Sequence, residues 1–198
     1  MSKHQNFYHP PLLPMPDVPI PNHYGAYLQK RKHDVHTGVD LYADNGTPVY
    51  AIEKGEVVIV KWFTGEKAGC PWWNDTMAVY IKGHTGTMCY GEITPTDEII
   101  HKLKHPEDFE NGSKIEMGQV IGHVTQVLKN DKGKSMSMLH FALHKHGLDL
   151  QVKHNEDPNA DDFYDLQIDP TMLLLQMKSK ADIMVLSVET NGYYMRKR

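Results

Sequence analysis

The feature that most restricts this chain is its punctuation between His36 and Ile93, where short apolar, β-branched runs are each stopped by a turn signal before a helix could complete. Gly38-Val-Asp-Leu41 leads through Asp44-Asn-Gly-Thr47 into Pro48-Val-Tyr-Ala-Ile52, and Asn45-Gly46 supplies the positive φ angles of a tight turn, so this stretch is predicted to be a hairpin. Lys54-Gly55 marks the next turn. Glu56 to Phe63 is predicted as a long strand, Thr64 to Asp75 as a loop, and Met77 to Lys82 and Thr87 to Ile93 as two further strands joined at His84-Thr-Gly86. The pattern is mainly β and antiparallel in character.

Downstream, Thr94-Pro95 is predicted to open a helix, with Thr94 as N-cap and Pro95 at the first helical position, while Ile99, Ile100 and Leu103 keep helical spacing until His105-Pro106 ends it. Ile115 to Val127 reads as a turn into a buried strand, and Asn130 to Lys134 as a loop. Asp169-Pro170 caps a second short helix reaching Met177. Pro10, Pro11, Pro14, Pro16, Pro19 and Pro21 forbid regular helix and predict an extended arm over residues 1–30, lying on the domain rather than in its core, with Tyr24-Gly-Ala-Tyr27 either packing near the site or making an ordinary surface aromatic contact. The domain proper is expected at 31–178, followed by an extension at 179–198 whose apolar stretch, 181–188, reads as an edge strand.

Composition narrows the function classes. With 40% hydrophobic residues in 198 there is material for one substantial core. A mean hydropathy of -0.52 and the lack of a long apolar run argue against a transmembrane helix. The net charge is -4, and the basic residues are scattered apart from Met195-Arg-Lys-Arg198, so no electrostatic footprint for nucleic acid is present. Met1-Ser-Lys-His-Gln-Asn6 has no apolar signal segment behind it, which leads us to expect cytoplasmic synthesis, with release by lysis or nonstandard export. Cys70 and Cys89 lack C-x-x-C spacing and read as two thiols, or as one bridge in an oxidising compartment. Nothing in the sequence sets an oligomeric state.

Chemistry gathers in two stretches. In Met136-Ser-Met-Leu-His-Phe-Ala-Leu-His144, an extended backbone puts Leu139, Phe141 and Leu143 on one side, the core side, and Met138, His140, Ala142 and His144 on the other. The upstream counterpart is His36-Thr-Gly-Val-Asp40. Two imidazoles and one carboxylate, with water in an open fourth position, form a known catalytic zinc set, which nominates His36, Asp40 and His140 as metal ligands. Taken singly, each reads equally well as a turn His, a strand-end Asp or a satisfied strand His.

The order of these segments, H-x-x-x-D, G-T-P-V-Y-A, G-E-V, G-Q-x-I-G, L-H-F and a D-P-T helix, resembles the lysostaphin/LytM-type zinc metallopeptidases from about His33 to Lys178. The resemblance implies an antiparallel β-sandwich or barrel-like core with the metal in a groove. It implies Zn2+ on His36, Asp40 and His140, and a peptide or cell-wall substrate, typically a peptidoglycan cross-link. Two departures stand out. The first His of the family's H-x-H is Met138 here, and the His of its Y-x-H-L is Glu92 in Tyr90-Gly-Glu-Ile93. A thioether has no proton to move, so Met138 reads as a packing residue.

Glu92 is read as facing the same way as Tyr90 at the edge of the metal site, where it either serves as general base for water or makes a supporting hydrogen bond. Tyr90 is placed near the oxyanion. His144 is expected at the exposed rim, and Trp72-Trp73 either borders the groove or packs beneath its loop. Two functions remain open. One is a zinc metalloendopeptidase; the other is a zinc-containing binding or regulatory protein of the same fold with little or no turnover.

Overall fold

Period-two alternation lets a short strand bury one face, and the chain uses it to assemble, among the described residues, one antiparallel sheet of nine strands. The computed structural model describes residues 8–32, 35–130, 136–146, 167–180 and 182. Its strands are β1 (Val39–Tyr42), β2 (Pro48–Tyr50), β3 (Gly55–Thr64), β4 (Thr76–Gly83), β5 (Thr87–Pro95), β6 (Lys114–Ile115), β7 (Val120–Val124), β8 (Met138–His144) and β9 (Gln167–Ile168). Helix α1 (Asp97–Lys104) follows β5, and α2 covers 171–180. The main path runs β1-β8-β5-β4-β3-β6, while β2 joins through β7, which pairs with the far end of β5. This is the mainly antiparallel β fold with two short helices that the sequence predicts, in the form of an open sheet.

One face of the sheet carries the main core, built from Val39 and Leu41 of β1, Val79 and Ile81 of β4, Met88 and Tyr90 of β5, and Leu139, Phe141 and Leu143 of β8. Ile99 of α1 and Leu174 and Met177 of α2 close over it. The Asp169 side chain accepts from Thr171 N at 2.9 Å and starts α2 as its sequence signal predicts. On the opposite face, Ala78, Tyr80, Cys89 and Ala142 make a smaller cluster flanked by Val58, Ile59 and Phe63. Burial on both faces explains why the whole of β8 after Met138 is shielded. No disulfide joins Cys70 and Cys89.

Three expectations are corrected. The predicted hairpin does not form between β1 and β2, because β7 captures its turn: Gly46 N donates to Val124 O and Val124 N to Thr47 O, so β1 diverges to β8 and β2 to β7. Helix α1 is capped by Thr96 rather than Thr94, since Thr94 and Pro95 are still laddered to His123 and Gly122. The proline arm does not merely lie on the domain. Leu12, Met15 and Val18 are buried in the main core, His9 N donates to Ile52 O, and Tyr50 N donates to Pro11 O. Prolines remove donors but leave carbonyls and side chains, which is all these contacts need. The predicted edge strand at 181–188 lies outside the described residues except for Asp182, which is helical.

Candidate metal centre

The centre is built where β1 meets β8. Asp40 and His140 are direct cross-strand partners, so their side chains emerge side by side on the face opposite the main core. His36, just before β1, completes a triangle: Nε2 of His36 lies 2.9 Å from Asp40 Oδ1 and 3.1 Å from His140 Nδ1, and the latter is 3.2 Å from Oδ1. All three residues are buried. Among the described residues this is the one His/Cys/Asp/Glu group whose ligand atoms converge closely enough for a metal ion.

The atoms suit a cation. His36 Nδ1 donates to Ala26 O at 2.9 Å, which leaves the Nε2 lone pair facing Asp40. Burial holds the His36 pKa below its ordinary value, outweighing the Asp40 hydrogen bond that would raise it, so the neutral ring is favoured. Burial by itself would raise the Asp40 carboxyl, but its close contacts with His140 and His36 offset this and hold it well below the usual carboxylate range. A neutral imidazole acceptor therefore faces an ionised carboxylate. Tetrahedral zinc, with ligands at about 2.0–2.1 Å, spaces its ligand atoms by about 3.3 Å, close to the observed triangle.

Packing fixes the rings. Gly38 has no room for a side chain, because a Cβ there would stand 2.7 Å from His140 Nε2 and 2.7 Å from Phe141 O. Phe63 stacks at 5.2 Å from His140 and fills the space left by the missing side chain of Gly91.

Glu92 reaches this centre by a route that strand alternation does not predict. The β4–β5 ladder pairs Val79 with Tyr90 and Met77 with Ile93, so Gly91 and Glu92 together oppose Ala78 in a β-bulge. Glu92 occupies the left-handed region at φ 63. At this residue β5 changes partner, from β8 at residues 87–91 to β7 at 93–95. The Glu92 side chain thus stands at the fork, near enough for the Asp40 charge to act on it. Its carboxyl is pushed well above the ordinary value by burial and by Asp40, with Arg31 opposing. Oε2 is shielded from solvent and has no hydrogen-bond partner among the described residues.

The ladder also corrects Tyr90, which is paired with Val79 and Phe141 on the core side. Its side chain points into the main core, packs edge-on against Phe141 at 5.3 Å, and its hydroxyl accepts from Ile52 N at 3.0 Å, so it is not placed to meet an oxyanion at the triad. His144 is buried rather than exposed, with Nδ1 3.3 Å from Thr87 O. Met138 pairs with Tyr42 on the same strand face as His140. Trp72 is 63% exposed, at 6.0 Å from the Trp73 ring.

Sequence reasoning missed Arg31, whose Nη2 lies 2.5 Å from Asp40 Oδ2, and missed the arm carbonyls that hold the ligand backbone and ring, Gly25 O on Asp40 N and Ala26 O on His36 Nδ1. Gly91 inside a predicted strand was the available signal for the bulge. Nothing local pointed to Arg31.

Comparison with known proteins agrees with this architecture. The profile described as Peptidase family M23 matches residues 34–152, more than half of the chain. Lysostaphin, described as the antimicrobial peptidase from Staphylococcus simulans, shares the fold with a TM-score of 0.52 and 17% identity over 87% of this chain, which spans 55% of the lysostaphin chain. CbpA from L. salivarius REN aligns with a TM-score of 0.51 and 17% identity, covering 89% of this chain and 99% of its own. Curated protein sequences gave no match.

Proposed function

Because the chain belongs to peptidase family M23, we propose that it is a zinc metalloendopeptidase-like protein acting on peptidoglycan cross-links or other short peptides. The observation that carries this reading is the convergence of His36 Nε2, Asp40 Oδ1 and His140 Nδ1 near a shielded carboxyl oxygen of Glu92 that has no hydrogen-bond partner among the described residues. When bound by the three ligands, zinc supplies Lewis acidity, polarising a peptide carbonyl and acidifying water. The chain supplies the rest. Ala26 O orients the His36 ring, Arg31 holds one Asp40 oxygen, and Glu92 is the group that takes and returns a proton at Oε2. In the metal-free chain burial and Asp40 keep that proton on Glu92; a cation between the ligands cancels the Asp40 charge and favours the carboxylate a base requires.

A second reading, a binding or regulatory protein that keeps zinc with little turnover, is favoured by Met138, which places a thioether with no transferable proton on the ligand strand beside His140. One set of measurements separates the two. Purified protein should carry about one zinc per chain, lost in His36→Ala and His140→Ala, and a folded wild type without metal affinity overturns both. The enzyme should release peptides from cell-wall material, and Glu92→Gln should suppress release while keeping zinc. Zinc binding without release across a broad peptide panel selects the second reading.

A further inference from the structure

The proline arm ends in a segment that grips the metal centre from behind. Gly25 O accepts from Asp40 N at 2.9 Å, Ala26 O accepts from His36 Nδ1, and a short antiparallel pairing follows, with Leu28 N donating to His36 O and His36 N to Gln29 O. Arg31 leaves this segment and turns back across it. Its Nε and Nη2 both donate to Tyr24 O, at 3.2 and 3.1 Å, its guanidinium lies 5.1 Å from the Tyr24 ring centre, and Nη2 reaches Asp40 Oδ2. The arginine is therefore held on three sides while its charge rests on the ligand carboxylate. Residues 24–31 precede the stretch matched by the family profile, so this grip is supplied by a part of the chain outside that match.

A carboxylate has two oxygens and can offer a cation one or both. In this centre Oδ1 faces His36 and His140, while Oδ2 is engaged by Arg31. Resting on the zinc reading above, we propose that Arg31 is a positioning residue of the metal centre: by engaging Oδ2 it restricts Asp40 to a single donor oxygen and so holds the site to three protein ligands with an open position. The guanidinium suits this task because its planar fork bonds the arm carbonyl and the carboxylate together, whereas a lysine ammonium is a single point charge without that geometry.

The test uses the full chain, loaded separately with zinc and with cobalt(II). Zinc affinity is measured by competition with a chromophoric chelator, and cobalt coordination by visible absorption, which is intense for four-coordinate cobalt and weak once a fifth donor joins. Arg31→Ala is expected to weaken zinc binding by about 10–100-fold, as loss of a ligand's hydrogen-bond partner does, and to reduce the cobalt band as Oδ2 becomes a second donor. Arg31→Lys should recover most of the affinity but less of the band. Far-UV circular dichroism and the urea midpoint report folding, and Arg31→Gln provides a second neutral variant should Arg31→Ala fail to fold. Zinc affinity within twofold of wild type and an unchanged cobalt band in the neutral variant overturn the positioning role while leaving the metal reading intact. A folded wild type that takes up neither metal overturns both.

Discussion

Replacing Glu92 with glycine should stabilise the metal-free protein while removing the proposed proton-transfer group. The residue sits at φ 63, a left-handed conformation that costs an L-residue about 1–2 kcal/mol. Its Oε2 is shielded without a partner among the described residues, and an unsatisfied oxygen of that kind costs about 1–3 kcal/mol. Glycine removes both penalties and returns about 0.5–1 kcal/mol through the greater freedom of the unfolded chain. The net expectation is a gain of about 1–4 kcal/mol, with Tm rising roughly 2–4 °C for each kcal/mol in a chain of this size. Thermal and urea unfolding of chelator-treated protein measures it. The pH dependence tests the cause. Because the folded-state pKa of Glu92 is raised by burial and by Asp40, the folded chain keeps a proton that the unfolded chain loses above the ordinary value of 4.5. The contribution of Glu92 to wild-type stability therefore falls as pH rises from that value through the raised one, and Glu92→Gly lacks this loss. The advantage of the variant should grow as pH rises above 4.5. A variant no more stable than wild type at neutral pH, with a gap that ignores pH, refutes both the strain and the burial arguments.

Gly38→Ala would drive a Cβ to within 2.7 Å of both His140 Nε2 and a backbone oxygen, so stability should drop by about 1–3 kcal/mol and zinc affinity should fall with it; unchanged urea midpoint and chelator competition contradict this. Leu12→Ala opens a hole in the main core and should cost about 2–5 kcal/mol by urea titration, whereas an arm resting on the surface would lose almost nothing. Acid should unfold the metal-free protein in two steps. As pH falls through the ordinary histidine value of 6.5, the unfolded chain gains a proton that buried His36 resists, and below the ordinary Asp value of 3.8 the unfolded carboxyl protonates while Asp40 still holds its charge, so stability declines in both windows. Urea midpoints from about pH 3 to pH 7 should show His36→Gln flattening the upper decline and Asp40→Asn the lower.

What the sequence made legible was whatever depends on local period and spacing. The alternation of Leu139, Phe141 and Leu143 against His140 and His144 correctly assigns the two faces of β8, and His36-Thr-Gly-Val-Asp40 brings its two polar ends to one point. What it hid depends on partners distant in the chain. Asn45-Gly46 makes its turn as predicted, yet which strands flank it is decided by Val124, nearly eighty residues on. Strand alternation placed Tyr90 and Glu92 on one face, but Tyr90 pairs with the core-facing Val79 and Phe141, and a single extra residue opposite Ala78 takes Glu92 off that face. Arg31 shows the same limit, since its partner on the ligand carboxylate is fixed by the path of the arm and not by any motif.

The position of Glu92 argues for chemistry independently of family. A residue needed only to turn β5 from β8 toward β7 would meet the backbone requirement at least cost as glycine, and asparagine would tolerate the same conformation. This chain instead carries a glutamate there, with a bulky side chain in a left-handed conformation, one carboxyl oxygen shielded without a partner among the described residues, and the charge of Asp40 close enough to oppose its ionisation. Backbone strain, desolvation and like-charge repulsion all act against this residue in the metal-free fold, and a cation held by His36, Asp40 and His140 relieves the last of them directly. The penalties thus fall on one side chain, at the point where the sheet divides and beside the one converged ligand triangle among the described residues. Strain of this kind persists where the surrounding structure imposes it. Here the ladder to β7, the bond from Thr125 N to Glu92 O and the packing of Phe63 against Gly91 impose it.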